Sequence, residues 1–193
     1  MKTVALDIGN VCLKLSLERC MDNLRVPQNT SIPEEFHQAV FGMETGLIDE
    51  NEWLKVFRQI TAGKFTDNEL RYAYNSMLGK EIPETADFVK SAVNAGYRVI
   101  FFSDTSPLHL MHIFRNLSFS HLITGGVYSF EAGTRKPDSV MYQEYEKRYG
   151  IPDLYLDDKP ENISAAEKRE WKTVLVKENP APALNNASAL LDI

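Results

Sequence analysis

Four polar clusters stand beside apolar runs or helix-opening prolines in this 193-residue chain. Asp7 follows Thr3-Val4-Ala5-Leu6, Ser103-Asp104-Thr105 follows residues 99–102, Lys136 precedes Pro137, and Asp157-Asp158 close an apolar run that starts near residue 153. Each cluster alone has an ordinary explanation. Asp7 with Gly9-Asn10 reads as a turn, Asp157-Asp158 as an N-cap pair, Lys136 as a solvated lysine and Ser103 as a loop serine. Brought together they could do chemistry. Packed carboxylates repel one another unless one takes a proton or a cation sits between them. Oxygen ligands without nearby Cys or His favour Mg²⁺ over zinc. A lysine and a hydroxyl beside that cation suit the charged oxygens of a phosphoryl group, and a carboxylate facing it can act as a nucleophile.

Convergence of residues 150 positions apart needs a fold that carries them to one edge, and the hydrophobic pattern supplies it. Residues 3–6 read as a short buried strand ending at Asp7. From about Leu13 to Pro83 the texture is helical throughout. Pro33 opens one helix, Asp49 and Glu52 have capping-box spacing before Trp53, Val56, Phe57 and Ile60, and Thr66 and Glu69 repeat the device. Gly79 reads as the stop of that last helix. After Pro83 helices and strands alternate: helix 84–95, strand 97–102, helix 108–117, a Gly125-Gly126 turn into a short strand, helix 138–149, strand 153–156, helix 163–169 and strand 171–176. Residues 180–193 read as weakly ordered or as a short final helix. Strands separated by helices of this length imply βαβ units and a parallel sheet. The expected organisation is an α/β, doubly wound, Rossmann-like core of residues 1–13 and 84–193, with a helical insert of residues 14–83 leaving after the first strand. Ligands in such sheets bind at the carboxyl ends of the strands, so the insert is placed to act as a lid.

Composition narrows the classes. The net charge of −6 argues against a general nucleic-acid binder, and any anionic substrate must be drawn by local charge. The apolar runs fall far short of the ~20 residues that span a bilayer, and the first seven residues do not make a secretory signal; a cytoplasmic, soluble protein is expected. Cys12 and Cys20 read as reduced small hydrophobes. His109 and His112, three apart, have no third ligand in view. Trp53, Phe57, Tyr72 and Tyr74 read chiefly as core of the insert.

Asp7-Ile8-Gly9-Asn10-Val11, Ser103, Lys136-Pro137 and Leu156-Asp157-Asp158-Lys159-Pro160-Glu161-Asn162 resemble, in order and spacing, the four motifs of the haloacid dehalogenase (HAD) superfamily. The resemblance covers nearly the whole chain, the insert looking like a C1-type cap. Within the superfamily it is most similar to bacterial Asp-x-Gly-Asn-Val sugar-phosphate phosphatases, such as those acting on α-glucose 1-phosphate. The resemblance implies a phosphatase with a small phosphorylated metabolite as substrate and Mg²⁺ as cofactor. It makes Asp7 the nucleophile and a metal ligand, the Gly9 carbonyl a second ligand, and Asp158 a direct ligand, with Asp157 binding directly or through water. Ser103 and Lys136 would hold the phosphoryl oxygens, aided by N–H groups following Ser103; Asp104 belongs to the same phosphate-binding segment. Lys136 would also neutralise Asp7.

There are two departures. The common phosphatase pattern has an aspartate as general acid two residues after the nucleophile, where this chain has Gly9. Asp104 stands where many relatives carry Asn, and a carboxylate aimed at a phosphate would be costly, so it is expected to point away or to help a cation. Two rival readings follow. A dehalogenase needs neither acid nor metal, which suits Gly9 but not Asp157-Asp158. A non-catalytic binding module would not need nucleophile, lysine and acidic pair together.

Overall fold

The computed structural model describes residues 2–27 and 30–193; Met1, Gln28 and Asn29, within the expected core and insert, lie outside the described residues. The chain begins with β1 (Thr3–Leu6) and β2 (Leu13–Leu15), runs through α1 (Leu17–Asn23), α2 (Glu34–Glu44), α3 (Glu50–Ile60) and α4 (Asp67–Asn75), and returns by β3 (Leu78–Glu81). Then follow α5 (Pro83–Asn94), β4 (Arg98–Ser103), α6 (Pro107–Asn116), β5 (Ile123–Tyr128), α7 (Ser129–Ala132), α8 (Ser139–Tyr149), β6 (Leu154–Asp157), α9 (Pro160–Glu167), β7 (Thr173–Leu175) and α10 (Ala181–Leu191).

Five strands form a parallel sheet in the order β5-β4-β1-β6-β7. Side chains alternate across a strand, and here both alternating sets are apolar. Val4, Leu6, Val99, Phe101, Leu154 and Leu156 meet α5, α6 and α10 on one face. Ala5, Ile100, Phe102 and Tyr155 meet α8 and α9 on the other. A sheet covered on both faces is the parallel, doubly wound solution. The chain builds outward from β1 through β4 and β5, then crosses to β6 and β7, so the topological switch lies at the carboxyl end of β1. The final residues form the helix α10, with Leu184, Ala187 and Leu191 buried against the α5 side.

The residues between β1 and α5 carry a third apolar cluster, in which Trp53, Phe57, Leu70 and Tyr74 are fully buried and Leu108 of α6 joins from the core. Both expected capping boxes form, Asp49 with Glu52 and Thr66 with Glu69. Pro33 precedes α2 as expected. The segment is not wholly helical, however. β2 and β3 pair as an antiparallel ribbon, and α4 ends at Asn75. Gly79 does not stop a helix: a Cβ there would lie 2.6 Å from the Lys14 carbonyl oxygen, so glycine permits the ribbon's close approach. Gly125 and Gly126 lie within β5 rather than in a turn; the side chains of Tyr149 and Tyr128 occupy the space their Cβ atoms would need.

α4 and α6 meet at a buried ring pair, Tyr74 stacked on His109 with centroids 3.8 Å apart. A carbonyl only accepts, so the 3.1 Å contact to Tyr74 O places the His109 proton on Nε2. Burial pushes His109 down to about 4, against the pull of that hydrogen bond. In the unfolded chain it titrates near 6.5. Its depressed folded value means that stability is lost as pH falls from about 6.5 to 4, where the unfolded state binds the extra proton. Denaturant melts of the wild type and His109→Gln at pH 7 and pH 4.5 should show the wild type losing more over this interval; equal losses would remove His109 from the acid limb.

Candidate active site

The register assembles the site. β1 aligns Leu6 with Phe101 of β4 and with Leu156 of β6. One residue further, Asp7 stands between Phe102 and Asp157, its N–H donating to Leu156 O at 3.0 Å. Lys136 comes down on that row from the loop between α7 and α8. Its Nζ donates to Asp7 Oδ1 (2.8 Å), Phe102 O (2.8 Å) and Asp157 Oδ2 (2.6 Å). The side chain is 1% exposed.

The adjacent acids Asp157 and Asp158 are in different situations. Asp157 is fully buried and its oxygens are filled. Besides Lys136, they accept from Tyr155 OH, from Lys159 N–H at 2.8 Å and from Asn162 Nδ2 at 2.9 and 3.1 Å. Burial alone would push its carboxyl up, but Lys136 and these donors outweigh it and hold Asp157 below the usual carboxylate range. Asp158 is half-buried and accepts from Asn10 Nδ2 at 2.9 Å. Asn10 has a left-handed backbone (φ 53°), and its Oδ1 takes the N–H of Leu15.

Asp7, Asp157 and Asp158 each offer an oxygen within 4.8 Å of the others. Burial pushes the Asp7 carboxyl up to about 7, with Asp157 and Asp158 adding to the rise and Lys136 opposing it. One ammonium therefore does not balance the cluster. A set of carboxylate oxygens short of positive charge, with Asp158 open on one side, fits a hard divalent cation.

Ser103 ends β4 at the same edge and is buried; its Oγ donates a long 3.4 Å bond to Asp104 O. Of the N–H groups after it, that of Thr105 is already held by Ser129 Oγ at 2.9 Å. Asp104 turns toward the lysine loop, where Oδ1 accepts from Lys136 N–H at 2.9 Å and Oδ2 from Arg135 Nε at 3.5 Å. Its carboxylate thus points at the loop that carries Lys136, and an acceptor-only group has no donor to offer an anion. A Cβ at Gly9 would lie 2.6 Å from Leu15 Cδ1, so a leucine methyl fills the space beside residue 9. His109 is packed in the ring pair, distant in role from this cluster. Both cysteines are free, and Cys12 Sγ donates to Asp7 O at 3.2 Å.

Sequence reasoning gave no role to Tyr155, Asn162 or Arg135, although Asn162 stands in the fourth motif. Tyr155 and Asn162 flank Asp157 by two and five residues and look like strand and helix residues; Arg135 is masked by its neighbour Lys136.

No protein-family model matches the chain, and no curated protein does. Solved structures do. A HAD family enzyme of Bacteroides thetaiotaomicron, crystallised with magnesium and inorganic phosphate, superposes with a TM-score of 0.81 at 22% identity, covering 93% of this chain and 96% of the other. The fold is that of the HAD enzymes. A HAD-like hydrolase predicted for Porphyromonas gingivalis matches with a TM-score of 0.76 at 20% identity over 97% of both chains. The L-2-haloacid dehalogenase of Xanthobacter autotrophicus, with chloropropionic acid covalently bound, matches at 0.65 and 13% identity over 98% of this chain and 82% of that one. The fold thus accommodates a phosphate complex in one neighbour and covalently bound chloropropionic acid in another. Among the described residues no helix is long and apolar enough to cross a membrane.

The contrast between the adjacent acids is measurable. Asp157→Asn leaves buried Lys136 short of a partner and should cost ~3–5 kcal/mol. Asp158→Asn should stay within about 1 kcal/mol, the scale of one partly exposed hydrogen bond. Urea unfolding of the cation-free protein checks both; similar losses would refute the division.

Proposed function

We propose that the protein is a cytoplasmic, Mg²⁺-dependent phosphatase of HAD type that hydrolyses a small phosphomonoester, a sugar phosphate such as glucose 1-phosphate being favoured. The observation that carries the reading is Lys136 Nζ locked between Asp7 and Asp157 at the switch point, beside a third carboxylate. Asp7 and Asp158, with the Gly9 carbonyl, would hold the cation; Asp157, already filled by five donor contacts, would act through Lys136 and through water. When bound, Mg²⁺ supplies the positive charge that keeps Asp7 ionised and balances the phosphoryl oxygens. The neighbour bound to magnesium and phosphate supports this choice over carbon chemistry, as do two adjacent acids that a carboxylate substrate would avoid.

In the proposed reaction one Asp7 oxygen attacks phosphorus in line as the bond to the leaving oxygen breaks. Lys136 holds Asp7 in place and stabilises the charge that develops, with Ser103 Oγ donating to a phosphoryl oxygen. The leaving oxygen takes a proton from water. Water then attacks the aspartyl-phosphate at phosphorus, releasing inorganic phosphate and restoring the carboxylate. Residues 14–83 act as the cap over a core of residues 1–13 and 84–193. Their separate apolar cluster and ribbon tether suit a unit that shields the acyl phosphate from stray water.

Assay of the purified protein on an aryl phosphate and a phosphometabolite panel, with and without Mg²⁺, tests the reading; halide release from 2-haloacids without metal would favour dehalogenation instead. Asp7→Asn should lower turnover on the order of 10⁴-fold or more, as loss of a covalent nucleophile does. Asp158→Asn should lose activity that high Mg²⁺ partly restores. Retention of wild-type turnover by Asp7→Asn would end the covalent mechanism.

With Leu15 filling the space beside Gly9, no acid stands there to protonate the leaving group, and such an acid is worth ~10²–10⁴-fold. Aryl phosphates and acetal-type sugar 1-phosphates, whose leaving groups are better, should therefore outpace simple alkyl phosphates, and kcat/KM should fall steeply with leaving-group pKa. A flat dependence where chemistry limits the rate would mean that another residue supplies the proton.

A further inference from the structure

The loop that delivers Lys136 is held by charge from two directions. From the sheet, Asp104 takes the Lys136 N–H and the Arg135 Nε. From the helical segment, Glu44 reaches across and pairs with Arg135 Nη1 at 3.2 Å. Among the described residues, Glu44 and Asp104 are the polar partners of the Arg135 side chain. Arg135 is partly exposed, and together with His37, Gln38 and Phe41 of α2 it borders a cleft of about 480 Å³.

Glu44 occupies an unfavourable position for an anion. It is the last residue of α2, where the helix dipole repels negative charge, and its side chain is 15% exposed. Burial pushes its carboxyl up and Asp104 adds to the rise, with Arg135 opposing. The turn that follows is seated directly on the core: Gly46 has φ +67°, and a Cβ there would collide with the Phe130 carbonyl of α7. An ion pair placed at such cost, at the contact between helical segment and core, needs a reason other than stability.

We propose that Glu44 is a positioning residue: seating of α2 on the core lets Glu44 hold Arg135, and Arg135 with Asp104 then holds the backbone from which Lys136 reaches Asp7. Site geometry is thereby coupled to the position of the helical segment. What this does for turnover rests on the phosphatase reading; the coupling itself does not.

The test uses Glu44→Gln, Arg135→Gln, the double variant and Glu44→Asp in the full chain, with Arg58→Gln as control, because Arg58 pairs with Asp67 within the helical segment. NMR hydrogen exchange at the Lys136 amide needs no turnover. Exchange should rise roughly tenfold in Glu44→Gln, the scale of one lost contact to a charged group. It should rise no further in the double variant than in Arg135→Gln, should largely recover in Glu44→Asp, and should not change in Arg58→Gln. In the phosphatase assay kcat should fall on the order of tenfold to a hundredfold, with KM within about twofold. A merely loosened helical segment would instead raise KM and speed exchange throughout residues 14–83. An unchanged Lys136 amide in Glu44→Gln, or additive effects in the double variant, overturns the coupling. Absence of phosphatase activity in the unaltered protein, with the exchange pattern as stated, overturns the phosphatase reading and leaves the coupling standing.

Discussion

A buried ammonium sets the terms for this structure. An ion taken from water without partners costs several kcal/mol even after relaxation, and Lys136 is among the most enclosed side chains of its edge. Its three acceptors, Asp7, Phe102 O and Asp157, come from the ends of β1, β4 and β6. The cost is offset only when all three strands hold the register that places those groups in one row. Sheet topology and site are therefore one constraint: a shift of β6 by one residue would turn Asp157 to the opposite face and strand the charge.

The same accounting separates the carboxylates. Asp157 is satisfied by donors from its own strand, the following loop and α9, and it is bound into the fold. Asp7 shares the lysine but keeps a raised affinity for a proton. Asp158 faces the crevice with Asn10 beside it. A fixed anion, an anion short of charge and an open anion stand within 4.8 Å of one another. That asymmetry is what lets two of them be offered to a cation and substrate, under the proposed reading, while the third keeps the lysine in place.

The parallel core was legible because its strands are apolar on both faces and its helices carry clear caps and prolines; Asp7, Ser103 and Asp157-Asp158 announced themselves by standing at the ends of such runs, and Lys136 by preceding Pro137. The ribbon of β2 and β3 was not legible. At three and four residues, its strands are too short for alternation to register, and they are paired by a contact across more than sixty residues. Gly79, Gly125 and Gly126 misled for a related reason. A glycine that admits a neighbour's backbone or a tyrosine ring looks locally like one that makes a turn. Asp104 could be read as an exception in its motif, but its partners Arg135 and Lys136 lie over thirty residues away and appear only in three dimensions.

Those distant partners change how the lysine should be understood. Nζ is fixed by the sheet, whereas its backbone is fixed by Asp104 and, through Arg135, by a helix that belongs to a different apolar cluster. A side chain gripped at one end by the rigid core and at the other by a segment joined through a two-stranded ribbon has its geometry set by both. Buried charge makes that arrangement selective. Small displacements of α2 weaken the Glu44–Arg135 pair, which is partly desolvated and therefore strong at short range, and leave distant surface pairs such as Arg58–Asp67 untouched. Stability alone would be served as well by an apolar pair in place of Glu44 and Arg135. The presence of Glu44 at the end of α2 is better explained by what it holds than by what it adds to folding.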